Sequence, residues 1–173
     1  MAYAFDFYID KLTESIVRVS DGKKFETEVT PVSPKEIHKI NMKDGWRFNW
    51  KNEYKEAGHH VYKLTLKGET EIQGLISFIV EHDNKCLFLP LIESAPHNFG
   101  RSKKFLGVAG NLVAYTCKKS FDLGFEGVVS FKAKTRLISH YEKEFGAQVI
   151  FGDQKMAIST SAAKKLVDLY FKP

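Results

Sequence analysis

The alternation of apolar and polar positions over residues 25–31 predicts a first strand that ends at Pro31. A helix start follows, because Ser33 can cap, Pro34 suits the first helical position and Glu36 completes a capping box. Three further strands are predicted in series, and turns at their ends join them into an antiparallel meander over residues 60–67, 71–81 and 85–93.

The second half of the chain combines helical patterns with short apolar strands. Residues 108–123 and 135–145 predict two helices on either side of a strand at 127–131. The aromatic and polar region 45–58 predicts a helix or an ordered loop. The remaining elements are a strand pair and a closing helix, at 148–152, 156–159 and 161–171.

Composition favours one compact domain over residues 1–173 in a reducing cytoplasm. Of the 173 residues, 43% are hydrophobic and 27% charged, so the chain can bury a core and is not a disordered sequence. No apolar run reaches the length of a membrane span, and no secretory signal is visible. Cys86, Cys117 and the histidines show no metal-ligand spacing, so we expect buried free thiols, no metal and no membrane partner.

The segment from Lys104 to Leu112 reads Lys-Phe-Leu-Gly-Val-Ala-Gly-Asn-Leu and joins a predicted strand to a predicted helix. Free N–H groups converge at a helix start and the helix dipole adds positive charge, so this turn is a candidate anion site. Gly107 lets the backbone approach a ligand closely, and Lys103 and Lys104 add full charges. Tight packing of small residues would explain the same glycines, and the segment matches neither the Rossmann nor the P-loop pattern.

Two segments of the chain resemble the GNAT acetyltransferase superfamily. The first is Lys-x-x-Gly-x-Ala at residues 104–109, which is similar to that family's pyrophosphate loop, usually Gln/Arg-x-x-Gly-x-Gly/Ala. The second, at residues 138–147, is Ile-Ser-His-Tyr-Glu-Lys-Glu-Phe-Gly-Ala. In the family a Tyr near the end of this helix commonly protonates the departing thiolate, and its match is Tyr141. The turn departs from the common Gly-Phe, and Lys134 stands where an Asn is often found.

The resemblance covers residues 25–160 and implies an α+β fold. This is an α/β/α sandwich around a mixed, mostly antiparallel sheet of about seven strands, with strands four and five splayed apart. Pro90 cannot donate to a strand ladder, so an irregularity is expected near it. Acetyl-CoA is implied as the acyl donor. The implied cofactor-binding residues lie at the end of strand four, in the phosphate loop and before the Tyr helix: Leu91, Ile92, Glu93, Lys104, Phe105, Leu106, Gly107, Val108, Ala109 and Lys134.

The acceptor side is predicted from the segments around the strand that should present the acetyl group. Glu93 ends that strand and is the predicted catalytic base, because partial burial would raise its pKa towards a useful value. His97 is a second candidate base, and the family often uses a water relay instead. His97 and Phe99 are expected to wall the acceptor pocket with Trp46, whose aromatic cluster has a structural alternative as core.

The predicted function is therefore that of an acetyl-CoA-dependent N-acetyltransferase, with direct attack by a primary amine of a small molecule or peptide. The alternative is a catalytically inactive module of the same fold that binds CoA, an RNA or a protein. The net charge of +5 would partly serve phosphates, and nucleic acid is not favoured, since such charge is usually a solvated face. The first 24 residues lie outside the resemblance. Their apolar positions predict a packed extension or an oligomer contact, in a monomer or homodimer: Phe5, Phe7, Ile9, Leu12, Ile16 and Val17.

Overall fold

The computed structural model describes residues 15–171, so the predicted apolar positions at Phe5, Phe7, Ile9 and Leu12 lie outside the described residues. The strands are β1 Ile16–Arg18, β2 Lys24–Phe25, β3 Thr27–Pro31, β4 His59–Leu66, β5 Ile72–Glu81, β6 Cys86–Leu89, β7 Ile92–Ser94, β8 Phe105–Leu106, β9 Val129–Lys132, β10 Gln148–Phe151 and β11 Lys155–Ile158. The helices are α1 Pro34–Ile37, α2 Trp50–Lys55, α3 Val108–Asp122, α4 Ile138–Phe145 and α5 Thr160–Tyr170. Single 3₁₀ turns lie at Met42–Asp44, Pro96–Asn98 and Thr135–Leu137.

The large sheet has the strand order β10-β11-β9-β6-β5-β4-β3, and β7 pairs with β5 beside β6. The predicted meander is present, because β4, β5 and β6 pair with antiparallel register. The pairing of β6 with β9 is parallel, so the sheet is mixed. The predicted third strand of the meander is divided into β6 and β7, and counting the two as one interrupted strand gives the predicted seven.

Helices cover both faces of this sheet. Successive residues of a strand point to opposite faces, and Leu75 and Ile76 on β5 accordingly belong to different cores. Ile76 lies in a large core with residues of α3, α4 and α5, whereas Leu75 packs with residues of α1 and α2. The α+β sandwich that the resemblance implied is confirmed.

The start of α1 shows that local signals were sufficient there. Ser33 Oγ accepts the N–H of Glu36 at 3.2 Å, and Glu36 Oε1 accepts the N–H of Ser33 at 3.0 Å, which is the predicted capping box. The helix nevertheless ends after four residues at Ile37. No helix among residues 15–171 is both long enough and apolar enough to cross a membrane.

A small second sheet joins the N-terminal region to the candidate anion loop. Its order is β2-β1-β8, with Val17 opposite Leu106 and Arg18 opposite Phe105. Ile16 on β1 is 0% exposed and belongs to the large core. The described part of the predicted extension is therefore packed against residues that directly precede Gly107.

If β1 is an integral part of the core, Ile16→Ala should lower the free energy of unfolding by about 2–5 kcal/mol, because it removes buried methyl groups and leaves a cavity. Val19→Ala is the matched control, since Val19 follows β1 and is 50% exposed. Urea unfolding of both variants measures the effect. Equal losses below about 0.5 kcal/mol would show that β1 contributes little to the core.

Candidate active site

The central feature of the candidate site is the point where β7 parts from β9. Strand β6 pairs with β9 as far as Leu89 opposite Phe131. After Pro90 the chain stays on β5, where Ser77 N donates to Leu91 O at 2.9 Å and Leu91 N donates to the Ser77 side chain at 3.2 Å. Strand β9 continues with β11 instead, since Lys132 pairs with Lys155. The expected irregularity near Pro90 is confirmed, and it opens a wedge between the two strands.

The amino end of α3 packs directly on the strands that border this wedge. Gly107 caps the helix with φ of 90°, a left-handed conformation that favours glycine. Helix α3 contacts β5 and β7, and this approach depends on Gly74, where a Cβ would lie 2.5 Å from Val108 Cγ1. The N–H groups of the first helical turn, from Val108 to Gly110, have no intrahelical acceptor, so they are the backbone donors that this site offers an anion.

The residues before Gly107 are held by other parts of the chain. Lys104 N donates to His97 O at 2.9 Å, and Phe105 N donates to Asn98 Oδ1 at 3.0 Å. Leu106 pairs with Val17 of β1. The amide of Phe105 already has an acceptor, so it is not available to a phosphate. Fewer of the predicted donors from Phe105 to Ala109 are therefore open to a ligand. The amides of the first turn of α3 remain for a ligand.

Basic residues precede α3 and follow β9, two elements that border the wedge. Lys104 Nζ sits 5.4 Å from the centre of the Phe105 ring, and partial burial lowers the pKa of Lys103. Lys134 and Arg136 follow the end of β9 and are exposed. The predicted positions Lys104 and Lys134 therefore flank the diverging strands, one before α3 and the other after β9.

Glu93 is buried on β7, and its carboxylate is already hydrogen-bonded. Oε2 accepts the N–H of Arg47 at 2.6 Å, while Oε1 accepts the N–H of Phe48 at 3.2 Å and the indole N–H of Trp50 at 2.8 Å. Burial raises the pKa of Glu93, and these donors act in the opposite direction. The geometry gives this carboxylate a role that the sequence did not suggest, which is to anchor residues 47–50 to β7. Its role as a base remains a prediction.

Tyr141 lies inside the large core. Its side chain is 0% exposed, stacked on Phe145 at 5.7 Å between ring centres and edge-on to Phe131 at 5.4 Å. Phe131 is the last residue of β9 that pairs with β6, so Tyr141 packs at the level where the two strands separate. Its role as proton donor remains a prediction.

The three residues predicted on the acceptor side differ in how far their side chains are buried. Trp46 is 8% exposed and belongs to the second core with Trp50, which supports its structural alternative. Phe99 is 54% exposed, and the Arg47 guanidinium lies 5.0 Å from the centre of its ring. His97 is partly buried, and its Nε2 lies 2.8 Å from Gln73 Oε1 and 3.7 Å from Glu71 Oε1.

Sequence reasoning missed three polar residues that organise this region. Gln73 and Ser77 are fully buried on β5, and Asn98 is 5% exposed in the turn after β7. Gln73 and Ser77 carried a usable signal in the sequence, because a polar side chain inside an otherwise apolar strand must find hydrogen-bond partners when it is buried. Nothing in the sequence indicated which partners these would be.

Solved structures with a similar fold are known. The chain is similar to spermidine N-acetyltransferase from Vibrio cholerae in complex with CoA and spermine, with a TM-score of 0.58, 13% identity, and coverage of 80% of this chain and 98% of that chain. A dodecameric structure of spermidine N-acetyltransferase from Vibrio cholerae in an intermediate state matches with a TM-score of 0.56, 14% identity, and coverage of 79% and 95%.

The chain has the GNAT fold. No protein-family model matches the sequence, and a search of curated proteins finds no significant match. At 13% identity the structural likeness establishes the GNAT fold alone, so the roles of individual residues rest on the geometry described above.

Substitution of the buried carboxylate should test its anchoring role. In Glu93→Gln an amide N–H₂ would face one of the backbone or indole donors, so we expect the free energy of unfolding to fall by about 1–3 kcal/mol. Glu69→Gln, on the exposed β4–β5 turn, is the control. Urea unfolding measures both, and a Glu93→Gln protein as stable as the control would rule out the anchor.

The stability of wild type relative to Glu93→Gln has an expected pH dependence. Burial outweighs the three donors and raises the pKa of Glu93 above its ordinary value of 4.5, so ionisation of Glu93 costs more in the folded than in the unfolded protein. Glu93 therefore stabilises the fold most below the unfolded pKa, and part of this stability is lost as pH rises through the folded pKa. The stability difference between wild type and Glu93→Gln should therefore shrink as pH rises above about 4.5.

Proposed function

We propose that this protein is an acyl-CoA-dependent N-acyltransferase that moves an acetyl group to a primary amine by direct attack. The single observation that carries the proposal is the wedge between β7 and β9 with the amino end of α3 packed beside it. A bound acetyl-CoA would supply the activated thioester. All remaining requirements are for positioning, charge stabilisation and proton transfer, which protein groups can meet.

The residues around the wedge fit the chemistry of an acyl-CoA. The amide N–H groups from Val108 to Gly110 suit a pyrophosphate, and the cations of Lys103, Lys104 and Lys134 add charge of the right sign. At the other end of the wedge, the strand β7 has lost its partner on the β9 side. The unpaired backbone there suits the amides of a pantetheine arm and the carbonyl of the thioester. Of the predicted residues Leu91, Ile92 and Glu93, Ile92 directs its backbone away from β5, because Leu91 is bonded to Ser77 and Glu93 lies opposite Leu75.

We assign the proton acceptor to His97 in preference to Glu93. Gln73 Oε1 can only accept, so the imidazole carries its hydrogen on Nε2 and leaves Nδ1 with a lone pair. Burial and, secondarily, Lys104 lower the pKa of His97, against the effect of Glu71. The imidazole is therefore neutral at neutral pH and able to take a proton from the acceptor's ammonium, which leaves the neutral amine that attacks the thioester. In Glu93 the carboxylate oxygens are engaged by three donors.

We retain Tyr141 as the proposed donor of a proton to the departing thiolate. Its support is the match to the family motif and its position beside Phe131, where the strands diverge. Full burial means that the hydroxyl must be reached from within the wedge and not from bulk solvent.

The acceptor is proposed to be a small molecule or peptide with a primary amine. One structure similar to this chain was solved in complex with CoA and spermine, so polyamines belong in the first panel of substrates. Peptide N-termini and lysine side chains belong there as well.

A module that binds CoA without catalysis is the second candidate function. Two observations favour it: the Glu93 carboxylate serves as an anchor, and the Tyr141 side chain is fully buried. Incubation with acetyl-CoA and the amine panel, with free thiol measured over time, separates the candidates. Thiol release that depends on an amine supports the transferase, and tight CoA binding without release under any amine supports the second candidate.

Reversal of the charge beside the anion loop should weaken CoA binding. We expect Lys104→Glu to raise the dissociation constant for CoA about tenfold, and the difference should diminish with salt, since exposed charges are screened. Lys164→Glu on α5 makes the same change in net charge and is the control. Calorimetry at low and high salt gives both values. Equal CoA affinity in the two variants would place the phosphates elsewhere.

Removal of the Tyr141 hydroxyl should slow turnover about 10²-fold with little change in CoA affinity, as for a positioned acid. Tyr115→Phe is the control, because Tyr115 is a half-buried tyrosine on α3 whose pKa is raised to about 12, chiefly by burial. Steady-state rates and CoA titrations of both variants decide the point. Wild-type turnover in Tyr141→Phe would exclude the role, and weaker CoA binding at normal turnover would make Tyr141 a binding residue.

A further inference from the structure

Asn98 connects β5 to the cofactor loop through both ends of its side-chain amide. Its Nδ2 donates to Gln73 O at 3.0 Å and to Gln73 Oε1 at 2.9 Å. Its Oδ1 accepts the N–H of Phe105 at 3.0 Å. The orientation of the amide follows from these partners, since two carbonyl oxygens lie on one side and an N–H donor on the other.

The two partners of Asn98 belong to the two ends of the proposed site. Gln73 lies on β5 next to Gly74, which pairs with Ser94 at the end of β7. Phe105 begins β8, two residues before Gly107. Asn98 and Gln73 are 5% and 0% exposed, so water competes little for these bonds.

Two backbone hydrogen bonds connect the same segments of the chain. Ala95 N donates to Gln73 O at 2.9 Å, and Lys104 N donates to His97 O at 2.9 Å. The turn Pro96–Asn98 is thereby tied to β5 on one side and to the cofactor loop on the other. The intervening residues 99–103 lack strand or helix structure, so the clamp formed by Gln73 and Asn98, together with these two backbone bonds, closes the loop onto the sheet.

We propose that Asn98 is a positioning residue that sets the distance between the phosphate-binding turn at Gly107 and the acyl-presenting strand β7. This inference rests on the proposed function. An acyl-CoA is held at its phosphates by one element and at its thioester by another, and the reacting carbonyl is placed correctly only when the two are in register. A misplacement of about 1 Å can cost about 10²-fold in rate while leaving binding nearly intact.

Hydrogen exchange of the wild-type protein tests the clamp without any assumption about catalysis. The amides of Lys104 and Phe105 should be protected in the absence of CoA and unchanged by its addition, because their acceptors lie within the chain. Amides of Val108 to Gly110 should gain protection only when CoA is added. Fast exchange of Phe105 in the free protein would overturn the clamp.

Two substitutions separate the two ends of the clamp. Asn98→Ala removes both connections, and Asn98→Asp keeps an acceptor for Phe105 N–H but loses the donor to Gln73. We expect Phe105 to lose protection in Asn98→Ala and to retain it in Asn98→Asp. Both variants should show kcat reduced by about 10²-fold per folded molecule, with the dissociation constant for CoA changed by less than about threefold.

Asn84→Ala is the matched control, because Asn84 lies on the exposed β5–β6 turn and contacts Glu81. It should leave Phe105 protection, kcat and CoA affinity at wild-type values. Normal kcat in both Asn98 variants would overturn the positioning role. A wild-type protein that neither binds CoA nor transfers an acyl group would refute the proposed function, while Phe105 exchange would still report on the clamp itself.

Discussion

The rest of the candidate site depends on the interruption between β6 and β7. Pro90 has no N–H, and the N–H of Leu91 is bonded to the Ser77 side chain instead of a neighbouring backbone carbonyl. The chain therefore leaves β9 but keeps its place on β5. Since β9 is held in turn by β11, the two strands have to diverge. This gap in the middle of an otherwise continuous sheet is where the proposed site lies.

The polar groups buried around this gap explain why it stays open and ordered. Glu93, Gln73 and Asn98 would each be costly to bury without partners, and each has hydrogen bonds to a different segment of the chain. Glu93 holds the segment that leads into α2, whereas Asn98 holds the segment that leads into α3. The strand β7, only three residues long, and the turn that follows it are consequently tied to the segments that precede α2 and α3.

Close packing sets the position of the amino end of α3, which also borders the gap. Gly74 admits the Val108 side chain to a place that a Cβ would occupy, so the helix can lie against the exact strands that border the gap. Directly before this helix the chain forms β8, which pairs with β1 in the small sheet. Strand β1 thus supports the candidate anion loop, a role that the apolar pattern of this region indicated only as packing or association.

Local signals in the sequence determined the elements and the loop chemistry. The capping box at Ser33, the meander and the Gly107 helix start each depend on residues close together in the chain, where propensity and periodicity act directly. The family pattern then indicated the splayed strands and the candidate residues. Tertiary structure decided the partners: it bonded Glu93 to Arg47, Phe48 and Trp50, placed Tyr141 between aromatic rings, and joined Gln73 to Asn98. Such pairings join residues 25 to 46 positions apart, or depend on packing from several elements, and no local pattern specifies which buried donor will meet which acceptor.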